Sequence, residues 1–91
     1  MNAYLAVYYR RNKTEVNRLG LTVGTRVGKA VMRNRIRRLI RESYRLREGK
    51  LKKGYDIVVV ARTRAAGAPY EKIDAALGAL LKKAGLCEVE T

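Results

Sequence analysis

Gly28-Lys29-Ala30-Val31-Met32-Arg33-Asn34-Arg35-Ile36-Arg37-Arg38-Leu39-Ile40-Arg41-Glu42 carries two patterns at once. Ile36, Leu39 and Ile40 stand at i, i+3 and i+4, the spacing of one apolar helical stripe. Arg33, Arg37, Arg41 and Arg45 recur every four residues, a slowly drifting row on another face. Like charges so placed repel, at about a few tenths of a kcal/mol per pair. A helix that gathers cations this way is suited to facing a polyanion, and phosphate is the first candidate.

The rest of the chain points to the same partner. The net charge is +13 on 91 residues. Between Arg26 and Lys53 twelve Lys and Arg stand against two acids, Glu42 and Glu48, so most of the excess sits in this helix and its exit loop. Arginine dominates the helix, and its planar fork suits bidentate contacts to phosphate or base edges. A membrane surface is the competing polyanion. The apolar stripe is needed for a core, however, and the chain has no Trp or Phe to anchor at an interface.

Ninety-one residues make one domain, 1–91, which buries roughly 60% of its unfolded surface. No stretch approaches the ~20 apolar residues of a membrane span, and Ala3 to Tyr9 lacks the flanks of a signal peptide. Cys87 is the single cysteine, so no internal disulfide forms. These features lead us to expect a cytoplasmic protein.

Outward from the basic segment, Tyr4-Leu5-Ala6-Val7-Tyr8-Tyr9 reads as a strand and Arg10 to Asn17 as a hairpin loop. Arg18 to Gly24 alternates, with Leu19, Leu21 and Val23 on one face of a second strand. The basic helix spans about Lys29 to Arg47, with Gly49 as its stop and Lys50 to Gly54 as a basic linker. Tyr55-Asp56-Ile57-Val58-Val59-Val60-Ala61 reads as a continuous apolar run, hence a strand buried on both faces or nearly so. Arg62 to Pro69 is a loop. An amphipathic helix, Glu71 to Ala84, turns Ile73, Leu77, Leu80 and Leu81 inward and ends at Gly85; Glu88 and Glu90 fall in a frayed tail. The expected fold is α+β, a small two-layer sandwich in the order strand-strand-helix-strand-helix.

Catalytic constellations do not emerge. The chain has no histidine, and its only aspartates, Asp56 and Asp74, lie in different elements. The glutamates are scattered singly, so no carboxylate cluster offers to hold metal. Gly24-Thr25-Arg26-Val27-Gly28-Lys29 lacks the spacing of a phosphate-cradling P-loop. No catalytic residue and no metal ligand is assigned.

Residues 18 to 48 resemble the bacterial ribonuclease P protein subunit. Arg33-Asn34-Arg35, followed by Arg37-Arg38 and Arg41-Glu42, matches that family's RNR motif. Lys53 to Arg62 is similar to its following strand and Leu80 to Leu86 to its last helix, so the resemblance runs from about Asn2 to Leu86. Members of the family begin with a further helix bearing paired phenylalanines. This chain has no Phe, starts at what reads as the next strand, and has Gly24-Thr25-Arg26 where many members carry Ser-Lys-Lys. Ala3, Ala6, Gly78 and Ala79 are smaller than the family would suggest. The chain therefore reads as a shortened version, truncated at its N-terminal helix.

The resemblance implies a subunit that is not catalytic alone. It would assist a catalytic RNA in removing the 5′ leader from precursor tRNA, with Mg²⁺ held mainly by that RNA. Carried over residue by residue, the RNA-binding set is Arg26, Lys29, Arg33, Asn34, Arg35, Arg37, Arg38, Arg41 and Arg45. Tyr8, Arg62 and Arg64 fall to the leader. The implied partners are ribonuclease P RNA and the precursor tRNA leader, with no membrane. A homodimer is expected through the sheet face that the absent helix would cover. Two other readings stay open: a structural, ribosomal-type RNA-binding protein, and an engineered, shortened fold variant with residual RNA binding.

Overall fold

The structure, a computed structural model, describes residues 2–87. Glu88 and Glu90 lie outside them. Five main elements follow in order: β1 (Leu5–Arg11), β2 (Arg18–Val23), α1 (Ala30–Arg47), β3 (Tyr55–Ala61) and α2 (Tyr70–Lys83). Short 3-10 turns at Thr25–Val27, Glu48–Lys50 and Thr63–Ala65 join them. The two helices and the three-stranded sheet give the expected α+β architecture.

The connection between β1 and β2 differs from the sequence reading. Residues 10 to 17 do not close a hairpin, because the sheet order is β1-β3-β2. β1 pairs antiparallel with β3, from Leu5 opposite Ala61 to Arg11 opposite Tyr55. β2 pairs parallel with β3, from Arg18 beside Asp56 to Val23 beside Ala61. The physical reason lies in the crossover through α1, which returns the chain parallel to β2. The valine-rich β3 takes the centre, where both edges are hydrogen-bonded. The strands bearing Arg10, Arg11 and Arg18 take the edges, where charge blunts further pairing.

β3 is also not buried on both faces. Ile57, Val59 and Ala61 are buried on the helix side, whereas Val58 is exposed and Val60 half-buried on the other. Leu5, Val23 and Ile57 meet Ile36, Ile40 and Tyr44 of α1 and Ile73, Leu77 and Leu81 of α2 in one core. The predicted stripe of α1 thus faces inward at Ile36 and Ile40, with Leu39 half-buried beside it. Gly49 does not act as a left-handed stop, since α1 passes into the Glu48–Lys50 turn. Gly85 does, at φ +76°, with its N–H on the Lys82 carbonyl and that of Leu86 on Leu81.

One polar contact fastens the two helices. Arg47 reaches across to the Asp74 carboxylate, and the Ser43 hydroxyl donates to the same oxygen. Gly78 gives the guanidinium room, for a Cβ there would stand 2.5 Å from it. This accounts for a glycine in mid-helix, where it costs about 1 kcal/mol against alanine. The hydrogen bond from Arg47, together with that from Ser43, holds the Asp74 carboxyl below the usual carboxylate range. Stability from a depressed carboxyl is present above its unfolded value and lost as pH falls through the folded one. Melting temperature should therefore decline below about pH 5, less steeply in Asp74→Asn, which starts about 1 kcal/mol less stable at neutral pH. Parallel melting curves for the two proteins would contradict that role.

Candidate nucleic-acid interface

The apolar stripe fixes which arginines of α1 can meet a partner. With Ile36, Ile40 and Tyr44 turned inward, Asn34, Arg38, Arg41 and Arg45 stand exposed on the outward face. Arg26 and Lys29 are exposed at the end where the chain enters the helix. Among these, Glu42 is the nearby acid, and it pairs with Arg45 at 3.3 Å.

Three other arginines of the motif serve their own chain as well. The Arg33 Nε donates to the Gly28 carbonyl at 3.2 Å and tethers the entry turn. An Arg35 amino group donates to the Ala68 carbonyl at 3.1 Å, holding the segment before α2 against α1. Arg37 donates to the Asn34 Oδ1 at 3.1 Å on the exposed side of α1. All three are half-buried, yet each guanidinium has five N–H donors, and donors remain for a partner.

The residues assigned to the leader do not form one cluster. Tyr8 is 62% exposed in the middle of β1, on the face away from the helices, beside Val58. Arg62 lies beyond the last rung, its amide on the Tyr4 carbonyl and its guanidinium on the Asn2 carbonyl at 2.7 Å. Tyr4 and Tyr8 are four residues apart along an extended strand, about 13 Å. Arg64 sits in the Thr63–Ala65 turn, which packs on the Thr25–Val27 turn. It therefore shares an end of the molecule with Arg26, not with Tyr8.

The open face also carries residues that were not singled out. On it Tyr8, Arg10, Asp56 and Val58 line a shallow groove of about 250 Å³, which Tyr9, paired with Ile57 on the other face of the strand, also borders. Beyond it a second concavity of about 370 Å³ is lined by Arg10, Arg11, Asn12, Lys13, Arg18 and Asp56. Strand parity was a usable signal, since Arg10 lies two residues from Tyr8 and shares its face. The reading of residues 10 to 17 as a hairpin loop obscured it.

Among the described residues no group of three or more His, Cys, Asp or Glu is placed to hold a metal ion. Nor is any helix long and apolar enough to cross a membrane.

A family model described as Ribonuclease P matches residues 1–85. The ribonuclease P protein component of Clostridium botulinum (strain Langeland) is 49% identical over 86 residues, covering 93% of this chain and 78% of that relative. That of Clostridioides difficile (strain 630) is 46% identical over 83 residues, covering 90% and 73%. Among solved structures, the RNase P protein of Staphylococcus aureus superposes with a TM-score of 0.89 at 34% identity, over 97% of this chain and 81% of that one. The RNase P protein of Thermotoga maritima gives 0.84 at 33% identity, over 100% and 82%.

Proposed function

Since the chain belongs to the ribonuclease P protein family, we propose that it lays the outward face of α1 along the ribonuclease P RNA and offers the open face of its sheet to the 5′ leader of precursor tRNA. The chain is the protein subunit of ribonuclease P, an RNA-binding component of tRNA processing, and its partner is the ribonuclease P RNA. The observation that carries the division of labour is the split of cations just described. Arg38, Arg41 and Arg45 face outward from a helix whose other side is core, with Arg26 and Lys29 at its entry.

Each part has a distinct physical task. The outward arginines neutralise phosphates and release counterions. The Asn34 amide offers donors to an RNA acceptor or to a water on an RNA-bound ion. The exposed ring of Tyr8 stacks a base, worth about 1–3 kcal/mol. Arg62 and Arg64 reach the same strand only if it crosses the sheet toward their end. In this scheme Mg²⁺ is held mainly by the RNA. The setting is the cytoplasm. A homodimer would compete for the open face, since a second copy and an RNA strand would cover the same residues.

Binding to ribonuclease P RNA should be steep in salt. If about five phosphates are neutralised on irregular RNA, the slope of log K against log salt is roughly −3 to −4. Anisotropy titrations over a range of salt measure it directly. A slope near zero would remove the phosphate backbone from the interface.

A further inference from the structure

The end of the sheet remote from Arg26 holds a second concentration of cations. Arg10, Asp56 and Arg18 stand on one rung across all three strands. Both guanidiniums converge on the Asp56 carboxylate, each at 3.8 Å, while their side chains stay 81% and 71% exposed. Arg11 and Lys13 line the same concavity, so four cations share one acid.

The loop that carries this cluster is tightly built. The Asn12 amide N–H donates to the Gly54 carbonyl at 2.9 Å. Its side-chain Nδ2 donates to Asp56 at 3.0 Å and to the Val16 carbonyl at 2.9 Å. Its Oδ1 accepts from both the N–H and the hydroxyl of Thr14. Gly54 sits at φ +92°, where a Cβ would fall 2.6 Å from the Thr14 carbonyl oxygen, so only glycine lets the loop close so near β3. The cations are thus presented from a fixed frame, which lowers the ordering cost of binding.

We propose that Arg10 and Arg18, gathered on either side of Asp56 and backed by Arg11 and Lys13, form a phosphate clamp for a single-stranded RNA segment of the substrate lying on the open face. This deepens the ribonuclease P reading and rests on it. Two observations point to a nucleic-acid strand. Arg10 and Asp56 line both the basic concavity and the Tyr8 groove, so the two are continuous. The Cα atoms of Tyr8 and Arg10 are about 6.6 Å apart on one strand face, so a base on the ring and its neighbouring phosphate fall within one nucleotide of each other. Aromatic stacking beside a cationic track is the common form of sequence-tolerant single-strand binding.

The test uses the full chain and a fluorescein-labelled uridine decamer, read by anisotropy. Two lost phosphate contacts lower affinity about twentyfold at 0.1 M salt and flatten the salt slope by about 1.4. That is the expected result for the Arg10→Gln/Arg18→Gln variant. Asp56→Asn keeps an acceptor for Asn12 but removes the negative charge, and it should bind the decamer more tightly, a change no folding defect imitates. An unchanged slope in the double variant, or unchanged affinity in Asp56→Asn, overturns the clamp. A double variant that loses ribonuclease P RNA in the same proportion as the decamer also overturns it, by placing the contact on the RNA subunit. The decamer decides the clamp separately from the parent reading, which fails instead if the wild-type chain does not bind ribonuclease P RNA.

Discussion

Replacing Arg38, Arg41 and Arg45 together with alanine is expected to weaken binding to ribonuclease P RNA about a hundredfold at 0.1 M salt. Each phosphate contact on single-stranded or irregular RNA adds about 0.7 to the salt slope, which at that concentration is about 0.7 log units of affinity. Three contacts give about two log units and flatten the slope by about 2. The three side chains are exposed on α1, and Arg45 gives up only a surface ion pair with Glu42, so the fold loses little. Alanine is the better helix former, and the row of like charges is relieved. A fall in affinity therefore reports the interface and not unfolding. Arg33→Ala and Arg35→Ala should behave differently. They release the Gly28 and Ala68 carbonyls and loosen the turns beside α1, so part of their effect should appear in the melting temperature. Equal affinity for the triple variant and the wild type would move the RNA off this helix.

Local pattern exposed much of this molecule in advance. The stripe Ile36-Leu39-Ile40 announced both a helix and its inward face, and Ile73, Leu77, Leu80 and Leu81 did the same for α2. Tyr55–Ala61 was legible as a strand because Ile57, Val58, Val59 and Val60 are four β-branched residues in a row. Strand order was not legible. Tyr4–Tyr9 and Arg18–Gly24 lie either side of a short polar stretch, and nothing local to them says that β3 comes between. Only the crossover through α1 decides that. The burial of β3 was misjudged for a related reason: an unbroken apolar run does not reveal that both helices pack on one side.

The basic surface was visible as composition, but its division was not. Charge spacing alone could not separate Arg38, which faces outward, from Arg35, which reaches a carbonyl thirty-three residues on. Nor could it show that Arg47 belongs to Asp74 and Ser43. Those partners depend on how α2 docks. Arg10, Arg18 and Asp56 form one rung only after β3 takes the centre of the sheet, so that cluster was hidden until the topology was known.

The second large effect concerns cleavage itself. A protein that supplies cations to an RNA catalyst relieves part of that RNA's need for Mg²⁺, because both screen phosphate repulsion. The benefit should therefore be greatest where Mg²⁺ is scarce. On the proposed reading the chain contributes binding and screening, and the RNA supplies the reacting groups. The direct measurement is precursor tRNA cleavage by a bacterial ribonuclease P RNA at low Mg²⁺, with the chain, without it, and with the chain alone. We predict stimulation of about tenfold or more, equivalent to about 1.4 kcal/mol off the barrier, fading as Mg²⁺ is raised, with no cleavage by the chain alone. Unstimulated cleavage at every Mg²⁺ concentration, or cleavage by RNA-free protein, would contradict the account.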